Sequence, residues 1–270
     1  DDEYLVMLTK GGYIKKTTLA AFSNIRANGL IAISLQEGDE LCWVRRATEE
    51  DSVIIGSSQG KAIHFRTNAV QLRASGRTSR GVRSMKLVDG DELIGMDILP
   101  RNIVASLEND ATESDSEAED NLAENLDTEA DDIDAEKAET EAEELAVDNS
   151  TGPWVLIVTN NGYGKRTPVS QFRLQRRAGK GLIAAKLNSR KSKSRKSKDE
   201  LAALRIVNVD DELMMITSRG IIVRQAVNAI SIQSRGATGV RVQRLDEDDA
   251  IAAVALVPPL AEEAGDLEEE

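Results

Sequence analysis

Residues 49–65 read EEDSVIIGSSQGKAIHF: an apolar run at Val53-Ile54-Ile55, a small-residue turn closed by Gly60, and a second short apolar run ending at Phe65. Runs this short, bounded by glycine, have the length of buried strands and not of helices. The same pattern opens at DDEYLVMLTKGGYIKKT (1–17), GPWVLIVTNNGYGKRT (152–167) and VDDELMMITSRGIIVRQ (209–225), with turn glycines at Gly12, Gly60, Gly162 and Gly220. Each opening is followed by a second match: RANGLIAISL, TSRGVRSMKL, AGKGLIAAKL and GATGVRVQRL, carrying Gly29, Gly81, Gly181 and Gly239. The glycine-to-glycine spacings are 17, 21, 19 and 19 residues, so one structural unit recurs four times with small loop differences.

Each unit ends in an acidic turn and a last strand: Asp39-Glu40-Leu41, Asp91-Glu92-Leu93 and Asp199-Glu200-Leu201, with Asp248-Asp249 as the fourth version. A catalytic acid pair need not appear in every unit, so these acids are expected to brace turns. Four short strands per unit predict an all-β, propeller-like fold of four four-stranded blades, in which each blade buries its faces against its neighbours.

Charge divides the chain further. The net charge is −13, yet residues 106–150 hold 19 acids and one lysine, and residues 260–270 hold six more acids. The remainder is therefore basic, by +11, of which six charges fall in the tract NSRKSKSRKSK at 188–198. The acidic stretch lacks aromatics and is expected to be a disordered linker. The expected organisation is two blades in 1–105, linker 106–150, two blades in 151–257 with the basic insertion 188–198, and an acidic tail 258–270.

Several chemistries find no support. No apolar stretch approaches the roughly 20 residues of a membrane span, and DDEYLVML lacks the marks of a signal peptide. A cytoplasmic protein is expected, with no membrane partner. Cys42 is the single cysteine and is expected to pack beside Trp43; His64, the single histidine, lies in a strand pattern; Tyr4, Tyr13 and Tyr163 sit at strand starts, where aromatics pack. No phosphate-loop motif occurs, and neither metal nor cofactor is expected.

The cations are the recurrent chemistry. Lys15 and Lys16, Lys61 and Arg66, Lys165 and Arg166, and Arg224 follow the turn glycines. Arg26, then Arg73, Arg77, Arg80 and Arg83, then Arg173, Arg176, Arg177 and Lys180, then Arg235 and Arg241 lie around the middle loops. A curved row of cations repeated from blade to blade suits the phosphates of a bent DNA duplex, which supply affinity without base readout. The alternative is ordinary solvated charge on exposed strands.

Residues Gln175-Arg176-Arg177-Ala178-Gly179-Lys180-Gly181 read QRRAGKG. This segment resembles the basic box QRRGGKG of the C-terminal domain of the DNA gyrase A subunit, with Ala178 in place of a glycine. NGYGKRTPVSQF, GGYIKKTTLAAFSNIRANGLIAISLQEGDEL and SMKLVDGDELIGMD are similar to blades of that domain. The resemblance implies a β-pinwheel whose basic rim wraps duplex DNA, with Gln175, Arg176, Arg177, Gly179, Lys180 and Gly181 among its DNA-binding residues. It implies a non-catalytic part of an ATP-dependent supercoiling enzyme, joined to the gyrase B subunit and a second copy of the gyrase A subunit through upstream domains. The family's box lies in the first of six blades and here in the third of four, so the chain is expected to correspond to the last four. The alternatives are the related domain of topoisomerase IV and a protein-binding propeller.

Overall fold

The computed structural model describes residues 3–25, 27–103, 152–187 and 199–257. The linker, the basic insertion, the acidic tail and Arg26 lie outside these residues. Among the described residues fifteen strands form four antiparallel sheets. In the first, β1 (Tyr4–Thr9) lies between β2 (Tyr13–Thr18) and β3 (Leu41–Ala47); in the second, β4 (Ser52–Ser57) lies between β5 (Lys61–Arg66) and β7 (Leu93–Leu99). In the third, β8 (Trp154–Thr159) lies between β9 (Tyr163–Pro168) and β11 (Leu201–Val207); in the fourth, β12 (Glu212–Thr217) lies between β13 (Ile222–Ala226) and β15 (Ile251–Val257). The all-β, propeller-like expectation is met.

One feature of the blades differs from the sequence reading. In the first three sheets the fourth strand comes from the next repeat: β6 (Val82–Arg83) joins β2, β10 (Leu182–Ile183) joins β5, and β14 (Val240–Arg241) joins β9. Each two-residue strand is a hook that ties one repeat to the sheet before it. Among the described residues no repeat follows the fourth, and the fourth sheet has three strands rather than four. Accordingly Ile222, which holds the register position of the buried Ile14 and Ala62, is 59% exposed.

Three of the four middle glycines owe their place to these hooks. Gly81, Gly181 and Gly239 all have positive φ (94°, 74° and 98°), a region L-residues rarely enter. A Cβ there would also lie 2.4 Å from Ile14 O, 2.7 Å from Ala62 O and 2.8 Å from Gly164 O respectively.

The apolar runs are continuous because both faces of each inner sheet are covered. Val53 and Ile55 pack toward the first sheet, with Val6, Leu8 and Ile14, while the intervening Ile54 packs toward the third, with Val155, Ile157 and Leu204. Trp154, Leu156 and Val158 then face Leu213 and Met215 of the fourth sheet. Each fully buried Val, Leu or Ile contributes about 1.5–3 kcal/mol, so the three inter-sheet cores carry the fold.

The edge strands opposite the hooks meet near the axis, where β7 packs against β3 and β11, and β11 against β15. In β3, Trp43 points to the core and Cys42, one residue earlier, faces solvent; strand alternation overturns the expectation that Cys42 packs.

Candidate nucleic-acid interface

The hook strands define the outer rim, and the middle loops that precede them stand there. The strands before the hooks are internal to their sheets, and this decides which cations can meet a ligand. Lys15, Lys16, Lys165 and Arg166 are 1%, 0%, 0% and 6% exposed. Lys15 Nζ donates to the carbonyls of Ala32 (3.0 Å), Gly76 (2.7 Å), Arg77 (2.8 Å) and Ser79 (3.2 Å). Lys165 Nζ repeats the arrangement one joint later, on Ser234 O (2.6 Å) and Arg235 O (2.5 Å). Lys16 bonds Glu49 Oε1 (2.5 Å) and Thr67 O (2.5 Å) and lies over the Tyr4 ring. Arg166 donates to Ile230 O (2.7 Å) and Asn228 O (3.1 Å) with its guanidinium over Trp154. The reading of these four as rim cations is corrected. Each is a staple from one sheet to the loop of the following repeat, and burial lowers the pKa of Lys15 and Arg166 and takes that of Lys165 to about 7.

His64 takes the register position of Lys16 and Arg166 in the second sheet. It is 2% exposed; its Nδ1 is 2.6 Å from Phe172 O and its Nε2 2.7 Å from Ser52 Oγ. A carbonyl only accepts, so Nδ1 carries the proton and Nε2 accepts from the serine. Burial keeps the ring pKa below its ordinary value.

The box loop of the third repeat is stitched onto the second. Gln175 N donates to His64 O (2.7 Å), Ala178 N to Ser84 O (2.8 Å), and Gly179 O accepts from Lys86 N (2.9 Å). Arg177 is half-buried and committed: its N donates to Gln71 Oε1 (2.9 Å), its Nε to Gln71 O (2.6 Å) and its Nη1 to Arg83 O (2.7 Å). Arg235 echoes it, bonding Gln171 Oε1 through N and Ile183 O through Nη1. Within the box, Arg176 and Lys180 remain exposed, beside Arg173. A hollow of about 280 Å³ next to them is lined by Arg66, Asn68, Val70, Gln71, Leu174, Gln175 and Arg176.

The other predicted residues fall into two groups. Arg80, Arg83 and Arg241 are exposed on the rim, the first two over the ring of Tyr13 and the third over that of Tyr163. Lys61 and Arg77 are half-buried, and Arg224 is exposed but paired with Glu212 (Nε to Oε2, 2.8 Å). The rim set is thus narrower than the sequence suggested: Arg73, Arg80, Arg83, Arg173, Arg176, Lys180 and Arg241 form no ion pair among the described residues.

The acidic turns do brace. Asp39 accepts from Gly11 N (2.8 Å), Asp91 from Ser58 Oγ and Gln59 N, Asp199 from Asn161 Nδ2, and Asp249 from Ser218 Oγ and Arg219 N. Burial pushes the Asp249 carboxyl up, but hydrogen bonds from Thr217, Ser218, Ala250 and Arg219 outweigh it and hold the pKa at about 2. Among the described residues no group of His, Cys, Asp and Glu could hold a metal ion, and no helix is long and apolar enough to cross a membrane.

Sequence reading misses an ionic link at the axis. Arg45, Asp97 and Arg205 share one register position on β3, β7 and β11. Asp97 Oδ1 accepts from Arg45 Nε (3.0 Å), and Oδ2 accepts from Ile206 N (3.0 Å). Arg205 Nε lies 3.1 Å from Oδ2 without hydrogen-bond alignment. The signal in the sequence is a charge at the same place in three largely apolar strands.

The family model for the DNA gyrase C-terminal domain, beta-propeller, matches residues 3–47, 51–100, 153–193 and 211–258. The DNA gyrase A subunit of Synechocystis sp. is 57% identical over 263 residues, which are 97% of this chain and 28% of that protein. The solved C-terminal domain of DNA topoisomerase IV superposes with TM-score 0.69 at 16% identity, over 95% of this chain and 62% of that one. The solved DNA gyrase A C-terminal domain gives 0.64 at 23% identity, over 95% and 66%. At these identities the two structures speak for the fold alone.

Proposed function

From the premise that the chain belongs to the DNA gyrase C-terminal domain family, we propose that its outer rim binds duplex DNA through the phosphates and bends the duplex around the row of hooks. The observation that carries this reading is the set of exposed cations without carboxylate partners among the described residues, standing where each repeat hooks onto the sheet before it: Arg80 and Arg83, Arg173, Arg176 and Lys180, and Arg241. Phosphate contacts of this kind position a duplex without reading its bases. The chain spans 28% of the length of its Synechocystis relative. We therefore place it as the wrapping module of the gyrase A subunit, cytoplasmic or organellar. Supercoiling, ATP use, and contacts with the gyrase B subunit and with a second copy of the gyrase A subunit belong to the larger assembly. In this reading the module is not catalytic. The family match favours gyrase over topoisomerase IV, whose domain shares the fold.

A gel-shift series in salt tests the reading. Six phosphate contacts predict a slope of log K against log salt of roughly −5, since each contributes about −0.9. Wrapping predicts, in addition, that relaxed circular DNA closed by a nicking-closing enzyme in the presence of the chain keeps a changed linking number. A flat salt response, or tight binding confined to one short sequence, counts against it.

A further inference from the structure

The rim carries two aromatic rings that the electrostatic reading leaves unused. Tyr13 lies directly across from Arg83 in the β2–β6 pairing, so the two side chains share a face. The guanidinium of Arg83 is 5.3 Å from the ring centroid and that of Arg80 is 4.7 Å from it. The third sheet repeats the arrangement. Tyr163 lies across from Arg241 in β9–β14, the guanidinium is 5.5 Å from the ring, and Arg241 Nη2 donates to the phenol oxygen (3.2 Å). The equivalent pair in the second sheet is Lys61 and Ile183, with no ring. These stacks differ from those of Lys16 and Arg166, whose cations are buried and committed to carbonyls. Here both rings are half-buried and all three arginines are exposed.

A ring face attracts a guanidinium through its π system and leaves most of the N–H edge open for an anion. An arginine held this way loses less side-chain freedom when a phosphate binds than a solvated one does. We propose that Tyr13 and Tyr163 are positioning residues for DNA, pre-ordering Arg80, Arg83 and Arg241 as two phosphate clamps on the first and third sheets. This inference rests on the DNA-rim reading above.

The test compares the chain with its Tyr13→Leu/Tyr163→Leu and Tyr13→Phe/Tyr163→Phe variants. Duplex affinity is measured across a salt series, thermal midpoints are measured alongside, and the mobility of arginine Nε–H groups is followed by NMR without DNA. The leucine variant is expected to bind roughly fivefold more weakly at a given salt, the scale of re-ordering about one freed arginine side chain on binding. Its salt slope should be unchanged, because no cation is removed. The phenylalanine variant keeps the ring faces and should stay within about twofold of the parent. In the leucine variant, the Nε–H groups of Arg80, Arg83 and Arg241 should become more mobile. Equal binding by the leucine variant overturns the inference while leaving the DNA-rim reading intact, as does an equal loss in both variants that follows the thermal midpoint. Absence of salt-dependent binding by the parent chain overturns the DNA-rim reading, and this inference with it.

Discussion

Lys165 sits in the joint between the third and fourth sheets with two carbonyls and, among the described residues, no carboxylate as partners, and its titration should make the fold more stable as pH rises. Its side chain is fully buried, and burial, with a smaller contribution from the charge of Arg235, brings its pKa to about 7. In the unfolded chain the value returns to 10.5. Between those limits the unfolded chain binds a proton that the folded chain does not, so stability rises by about 1.4 kcal/mol per pH unit. Below the folded value both states are charged and the burial penalty is fully present. The gain from pH 7 to pH 9 is about 2 kcal/mol. A neutral amine keeps two N–H donors, enough for both carbonyls. Lys165→Met removes the titration and leaves two carbonyls unpaired, a cost of roughly 1–3 kcal/mol. Urea unfolding of parent and variant at pH 7, 8 and 9 gives the comparison. The parent's advantage should grow by about 2 kcal/mol across the series, while Lys15 and His64 titrate in both proteins and cancel. A difference that stays constant with pH refutes the reasoning, because it would mean that the carbonyls hold Lys165 charged throughout.

Further outcomes are expected at five other places. Arg177→Ala should lower stability by about 1–3 kcal/mol, since Gln71 O and Arg83 O lose their donors. By contrast, Arg176→Ala/Lys180→Ala should leave urea midpoints nearly unchanged and reduce the salt slope of DNA binding by roughly two. Ala178 has φ 65°, so Ala178→Gly relieves a left-handed residue and should raise stability by up to about 1 kcal/mol after the entropy of glycine is counted; a lower midpoint would count against the strain. Asp97→Ala leaves Arg45 and Arg205 without their shared anion and should cost about 3 kcal/mol, with Asp97→Asn milder because Ile206 N keeps an acceptor. Residues 106–150 carry a net −18 tethered between basic repeats, so replacing 113–144 with neutral Gly/Ser of equal length should tighten DNA binding at low salt, with the advantage fading as salt rises.

The strand content and the repeat are legible in the sequence because glycine spacing and short apolar runs are local signals. Gly12 and Gly60 mark hairpin turns, and Val53-Ile54-Ile55 reads as a strand covered on both faces. The hooks are not legible. A two-residue strand such as Val82–Arg83 has no periodicity, and its partner β2 lies in the preceding repeat. Only the recurrent glycine before each hook hints at a close approach, and it is the contact with Ile14 O that gives Gly81 its reason.

The cations mislead for a related cause. Lysine and arginine count as surface residues by default, which makes Lys15-Lys16 look like part of a basic rim. Successive residues of a strand point to opposite faces, and β2 is internal to its sheet, between β1 and β6. A basic doublet there sends one cation to each face, and both must be buried unless a face is bare. Both are buried, each finding carbonyls of the next repeat in place of water. The same argument separates Lys165 and Arg166 from Arg176 and Lys180, which stand in a loop and have no sheet across them. At Lys15, Lys16, Lys165 and Arg166, charge on a strand inside its sheet therefore joins repeats, and charge in the hooks and the loops before them is left for a ligand. Arg177 and Arg235 are the exceptions that fix the loops themselves, since each donates to the backbone of the neighbouring hook, at Arg83 and Ile183. The cations that face outward are thus held in place by the cations that face inward, and loss of a buried staple such as Lys15 should misplace the rim beyond it as well as weaken the joint.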